Sequence, residues 1–367
     1  VKNLLKKPNA YKFNNLKTHK MKIGFVSPDI RNHPIGYFLK DLLPFLSKNF
    51  EIYIFNTGGI EDQISNYAKN FSQWKEDSKI SNEELSDKIY KEKIDFLFDM
   101  SGFTKGNKLE IFKYKPSPIQ ISWAGWLATT NLKEMDFILG DFFSIPNSDE
   151  KNFSEKILRM DNIWCVYSKS ELKDIKFQEK NSEDTIFGCF QRPEKLNEKV
   201  LTTWSRILKG RRNSYLFFNN GIQQNYDKTQ ILNFFKKNGI SNSRIRFAIS
   251  RNRINYLNSF NLVDINLDTF PYNGGTTSFE SAFMGTPILT LKNESHMFRC
   301  GESINHNLSM EKWIAKNHDH YVDIAINFSH KKKINFQKKK FIKKFQKSPL
   351  FDVELFSKNF YRLLKSI

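Results

Sequence analysis

Short apolar runs alternate with amphipathic runs twice along this chain, and that alternation restricts its fold more than any other feature of the sequence. In the first half MKIGFVSPD, FEIYIFNTGG, IDFLFDMSG, PIQISWAG and MDFILGD read as buried strands, with Gly and polar residues gathered at their ends. Between them IRNHPIGYFLKDLLPFL puts Ile35, Phe38, Leu39, Leu42 and Leu43 on one helical face, and SNEELSDKIYKEK reads as a charged helix. The second half repeats the scheme with strands DTIFGCF, SYLFFNNG and RIRFAIS. Its helices are NEKVLTTWSRILKG, TQILNFFKKNG closed by Gly239, and RINYLNSFN, with further helices expected around MEKWIAKN and YVDIAINF. Strands that alternate with helices form parallel α/β sheets, whose ligands gather at the C-terminal ends of the strands.

The length of 367 residues suits two domains, each with its own core. The reading gives a polar lead-in or linker over 1–20, a Rossmann-like domain over 21–167 and a charged linker over 168–184. A second Rossmann-like domain follows over 185–347, then an amphipathic helix over 348–367 with Ser348 and Asp352 as candidate caps. No apolar run is long enough to cross a membrane, and VKNLLKKPNAYKFNNLKTHK lacks the apolar core of a signal peptide. Three cysteines without short spacing exclude a disulfide framework or a zinc knuckle, so a cytoplasmic protein is expected. The formal charge of +19 raises the question of nucleic acid, but the surplus is mostly Lys spread along the chain. In the densest run, HKKKINFQKKKFIKKFQK at 330–347, Phe341, Ile342 and Phe345 recur at helical spacing and leave the lysines opposite. A solvated helix face is the expectation there, affinity for acidic partners the alternative, and no nucleic acid is expected.

The stretch 267–291, LDTFPYNGGTTSFESAFMGTPILTL, concentrates the chemistry. VDINLD reads as a strand ending at Asp268, PYNGG as a turn, Thr276 as a helix N-cap, Gly285 as the stop, and ILTL as a second strand. A glycine turn opening onto a helix N-terminus presents backbone N–H groups and the positive end of the helix dipole, a receptor for phosphate. Glu280 lies one helical turn on, where a carboxylate can take ribose hydroxyls. The spacing is neither a Walker loop nor a GxGxxG fingerprint, so a purely structural strand-to-helix turn is an equal alternative.

The wording resembles that of the O-linked N-acetylglucosamine transferase family, SPINDLY-type, glycosyltransferase family 41. The residues that carry the resemblance are LDTFPYNGGTTS with MGTP and LTL, IGFVSPDIRNHPIGYFL, GFTKGN with PSPIQISWAG, FGCFQRPEKL and KSPLFD, in the family's order over about 22–360. This is the family's catalytic region, without the tetratricopeptide repeats that members usually carry upstream; a fragment, an alternative start and a naturally short form are the alternatives. The resemblance implies a GT-B fold: two facing Rossmann-like domains, the second holding the sugar nucleotide. It implies an inverting, metal-independent transfer of N-acetylglucosamine from UDP to Ser/Thr hydroxyls of a protein or peptide acceptor. Another donor such as GDP-fucose or UDP-glucose, or a catalytically silent scaffold of the same fold, is the alternative. No cofactor and no metal are expected, because the sequence has no Asp-x-Asp motif and its other histidines form no ligand pattern.

Departure of a nucleoside diphosphate builds negative charge that a fixed cation or helix N-terminus must stabilise. Lys195 matches the family's diphosphate-binding lysine; without that context it would read as one more solvated lysine. Arg192 stands where animal members carry an amide. Gly274 and Gly275 shape the turn, Thr276 and Thr277 match the diphosphate contacts, and Glu280 matches the ribose-binding acid, often Asp in the family. Arg253 and Tyr256 match positions beside the nucleoside; Tyr256 either borders the base or only packs its helix. His33 matches the active-site histidine, as proton acceptor or as a positioning group. Asp29, Asp95 and Asp99 lie near ends of the same sheet, with Asp99 a second base candidate or a loop cap. Gly125 is expected to allow close backbone approach, although GWLATT departs from the family's Gly-Tyr-Pro-Gly-Thr.

Overall fold

The structure is a computed structural model that describes residues 11–13, 20–173, 175, 177–180, 184–219, 225–250, 252–328 and 332–367. It divides into two compact units, Val1–Ser170 with Asp352–Ile367, and Glu171–Phe351. Most of the lead-in read over 1–20 and parts of the linker read over 168–184 lie outside the described residues. Tyr11 is described, and it stacks on Tyr90 at 4.2 Å between ring centroids. Leu172, within the linker reading, is buried.

The first unit carries β1 (Lys22–Ser27), β2 (Glu51–Asn56), β3 (Gln73–Glu76), β4 (Phe96–Asp99), β5 (Ile119–Ser122), β6 (Phe137–Asp141) and β7 (Lys156–Met160). Their order is β3-β2-β1-β4-β5-β6-β7 with every neighbouring pair parallel, the doubly wound arrangement. The edge strands β3 and β7 are absent from the sequence reading. QWKE and KILRM lie at the edges, where one flank faces no partner strand, so they lack the continuous apolar signature of β4, buried at all four positions. The helices are α1 (Pro34–Leu39), α2 (Leu43–Asn49), α3 (Gln63–Lys69) and α4 (Asn82–Glu92). The single helix read over IRNHPIGYFLKDLLPFL is thus two, because Pro44 sits in the first turn of α2 and has no N–H to continue α1. All five residues assigned to its apolar face are buried nonetheless.

The second unit carries β8 (Thr185–Cys189), β9 (Ser214–Phe218), β10 (Ile245–Phe247), β11 (Ile265–Leu267), β12 (Ile288–Leu291) and β13 (Ile314–Ala315). Their order is β10-β9-β8-β11-β12-β13, again parallel throughout. Its helices are α5 (Glu198–Gly210), α6 (Asn225–Lys237), α7 (Arg253–Asn258), α8 (Thr276–Phe283), α9 (Cys300–Asn307), α10 (His318–Asn327) and α11 (Lys332–Phe345). Asn197 caps α5 by accepting from Val200 N–H at 3.0 Å, and Trp204 of that helix is buried against β9. MEKWIAKN was expected to be helical; it is a short 3-10 turn leading into β13. On α11 the lysines do not all lie opposite the apolar residues. Lys338 is buried, and its ammonium donates to the carbonyls of Phe260 at 2.6 Å and Val263 at 3.1 Å.

The chain then returns to the first unit as α12 (Val353–Lys365). Asp352 caps it through Leu355 N–H at 2.9 Å, whereas Ser348, the other expected cap, donates backwards to Phe345. Phe356 and Phe360 lay α12 on the buried Trp123. No helix among the described residues is long and apolar enough to cross a membrane.

Candidate nucleotide-sugar site

β11 is a central strand, and the chain must turn sharply at its C-terminal end to enter α8. Asp268 makes that turn. Its Oδ1 accepts from Gly274 N–H at 2.7 Å and its Oδ2 from the Thr290 hydroxyl at 2.9 Å. Thr269 and Asn273 add side-chain bonds within the same turn, to Tyr272 O at 2.7 Å and Thr269 O at 3.0 Å. The Phe270–Pro271 peptide is cis. Gly274 is required by space: a Cβ there would stand 2.1 Å from Gln191 Nε2 and 2.7 Å from Ser278 Oγ. Gly275 is the opposite case, with no heavy atom within 4 Å of a Cβ.

Gly275, not Thr276, is the N-cap of α8; Thr276 is already the first helical residue. A glycine cap brings no side-chain oxygen, so no side chain caps the first turn. The helix N-terminus is therefore left open to an external acceptor, beside the unobstructed face of Gly275. At the other end Gly285, at φ +67°, follows the helix as expected.

Lys195 follows β8 on a single 3-10 turn. Its ammonium donates to Asn273 O at 2.6 Å and lies 3.7 Å from the Tyr272 ring centroid. Gln191 from the same loop donates to Thr277 Oγ1 at 2.6 Å. Two segments far apart in sequence thus meet: a half-buried cation and an uncapped helix N-terminus. Burial holds the Lys195 ammonium below its ordinary pKa, with Asp268 acting in the opposite sense. Arg192 is exposed, and it lies close enough to Lys195 and Tyr272 to lower the pKa of both.

One turn along α8, Glu280 is buried and receives Arg253 Nη2 on Oε1 at 2.7 Å and the Tyr256 hydroxyl on Oε2 at 3.2 Å. Tyr256 is half-buried, edge-on to Phe190 and Phe260, and burial followed by the Glu280 charge holds its phenol well above the ordinary range. All the expected residues of the second unit thus collect at one sheet edge: Arg192 and Lys195 after β8, Arg253 and Tyr256 on α7, and Gly274 to Glu280 after β11. Sequence reasoning passed over Gln191, Tyr272 and Thr290, and took Asp268 only as a strand end. A carboxylate closing an otherwise apolar strand was the available signal.

In the first unit His33 caps α1. Its Nδ1 accepts from Ile35 N–H at 3.4 Å and its Nε2 lies 3.9 Å from Asp29 Oδ2. Asp29 also receives Arg31 at 2.8 Å. Asp99, at the end of β4, is buried and accepts from the N–H groups of Ser101 at 3.0 Å and Gly102 at 2.9 Å. It is a loop cap whose carboxyl burial pushes up to about 6. Asp95 precedes β4, at the opposite edge, and takes Lys22 N–H at 2.7 Å. A Cβ on Gly125 would stand 1.8 Å from Met100 O, so the close backbone approach expected there is present.

Two doubly wound parallel sheets in one chain define the class: an α/β protein of GT-B fold. An O-GlcNAc transferase mutant from Thermobaculum terrenum matches with a TM-score of 0.86 at 23% identity, over 95% of this chain and 68% of that one. Anabaena HepE in complex with UDP and glucose matches at 0.58 and 9%, over 95% and 100%. At such identities the likeness is one of fold. The chain belongs to glycosyl transferase family 41, whose family model matches residues 1–179 and 173–360. Probable UDP-N-acetylglucosamine–peptide N-acetylglucosaminyltransferases of the SPINDLY type are among its relatives. The Petunia hybrida protein is 28% identical over 84% of this chain and 34% of its own length, the Solanum lycopersicum protein 28% over 94% and 38%. The chain therefore spans about a third of the length of these relatives.

Proposed function

We propose that the second unit binds a uridine diphosphate sugar and that the chain transfers N-acetylglucosamine from it to Ser/Thr hydroxyls of a protein. The observation that carries this reading is the meeting of Lys195 with the uncapped N-terminus of α8 at the Asp268–Gly274 turn. Thr276, Thr277 and the α8 N–H groups would hold the diphosphate, with Lys195 beside it. Glu280, oriented by Arg253 and Tyr256, would take the ribose, and Tyr256 would border the base. Transfer inverts the anomeric centre: the acceptor oxygen bonds to C1, and the C1–O bond to the diphosphate breaks with its electrons leaving on UDP. The acceptor hydroxyl loses its proton to a base. Lys195 and the helix dipole would meet the charge that develops on the leaving diphosphate, which is the role a metal plays elsewhere.

The test is a panel of labelled UDP-GlcNAc, UDP-glucose and GDP-fucose incubated with protein acceptors, with and without EDTA. Label from UDP-GlcNAc should pass to protein, undiminished by EDTA, and Lys195→Ala should reduce the rate by roughly 100-fold or more, the scale of one preorganised charge partner. Transfer only from GDP-fucose would change the donor, a strict need for a divalent ion would end the metal-free mechanism, and binding without transfer would leave a scaffold.

A further inference from the structure

Asp268 ties the end of β11 across the donor turn to Gly274, although it offers no atom to solvent. Its Oδ1 fixes Gly274, the residue between Asn273, whose carbonyl holds Lys195, and Gly275, the cap of α8. Its Oδ2 is fixed by Thr290, and its backbone carbonyl accepts from the Tyr321 hydroxyl at 2.9 Å. A Cβ on Gly301 would stand 2.6 Å from Oδ2, so α9 closes the remaining side. We propose that Asp268, as its carboxylate, is a positioning residue for transfer: it holds the donor turn and Lys195 together in one geometry. The inference rests on the reading of this turn as the diphosphate site.

Among the described residues, Lys195 is the cation that acts on Asp268. Lys195 faces it from the loop after β8, and Lys195 in turn is faced by Arg192 of the same loop, Cys189 at the end of β8 and Cys300 at the start of α9. Tyr321 faces Asp268 from α10 and Tyr272 lies on its own turn. Burial outweighs the three hydrogen bonds and Lys195, and pushes the Asp268 carboxyl up to about 6. The ionised form accepts from Gly274 and Thr290 at once and faces Lys195; protonation removes the charge opposite Lys195 and weakens the carboxyl as an acceptor for both donors. Turnover should therefore be full above that pH and decline as pH falls through it.

The experiment measures UDP release from UDP-GlcNAc, GDP release from GDP-fucose, and calorimetric binding of UDP and GDP, all between pH 5 and 8. Wild-type turnover should fall on the acid side with a midpoint near 6. Asp268→Asn should lower turnover about tenfold or more with UDP affinity largely kept, and should lose the acid limb. Thr290→Val removes one hydrogen bond to the ionised carboxyl and should move the limb to higher pH, with normal melting. That shift keeps the proposal testable if Asp268→Asn does not fold, and it separates Asp268 from Asp99, which Thr290 does not touch. Identical acid limbs in wild type and Thr290→Val would overturn the positioning role while nucleotide binding stands. Failure of wild type to bind either nucleotide would remove the site and this role together.

Discussion

His33 begins α1 with its own imidazole as the cap, and that geometry bears on its chemistry. With Nδ1 accepting from Ile35 N–H, the neutral ring carries its hydrogen on Nε2, on the side of Asp29. In that tautomer the ring's lone pair is on Nδ1, turned to the Ile35 backbone, and Nε2 can only donate. His33→Ala should therefore lower turnover about 100-fold through lost positioning, with UDP affinity and the acid limb of the pH profile retained. Kinetics from pH 5 to 8 beside calorimetry check this; a limb that vanishes in the mutant would make His33 the base. Family wording marked His33, Lys195 and Glu280 in the sequence. Asp268 was hidden because its importance lies in its bonds to Gly274 and Thr290 and its charge beside Lys195, partners that only the folded turn brings together.

At the scale of elements, the strand–turn–helix unit from β11 to α8 depends on two adjacent glycines with different reasons. Gly274 is closed in by Gln191, Ser278 and Thr277, whereas Gly275 opens on empty space. Gly274→Ala should cost about 1–3 kcal/mol of stability, as overpacking does, and weaken UDP binding by displacing Gln191 from Thr277. Gly275→Ala should leave the melting temperature unchanged. Thermal melts and UDP titration of the two variants decide it, and equal effects would remove the distinction. The alternation of apolar and amphipathic runs predicted most central strands and long helices. It missed β3, β7 and β13, because short edge strands carry little apolar signal. It also joined α1 to α2 across Pro44, where apolar periodicity continues although the backbone bonds do not.

At the scale of the molecule, the chain leaves its first unit, builds the second and comes back as α12. The amphipathic pattern of SPLFDVELFSKNFYRLLKSI predicts a helix, and no residue within it says which core it enters. The answer is the first unit: Phe360 has no exposed surface and lies 5.4 Å from both Trp123 and Phe98. Phe360→Ala should destabilise that unit by about 3–5 kcal/mol, read as an earlier unfolding transition in denaturant, with UDP binding by the second unit intact. An unchanged transition would mean that α12 contributes no core. By itself the sequence determined the α/β class, two parallel sheets and the strand–turn–helix unit after Asp268, because side-chain periodicity and glycine placement act over a few residues. Only the tertiary structure decided which carboxylate orders that turn, that Lys338 is buried among carbonyls, and where α12 docks. Each of these depends on burial and pairing that exist only once the sheets have formed, in part between groups tens to hundreds of residues apart.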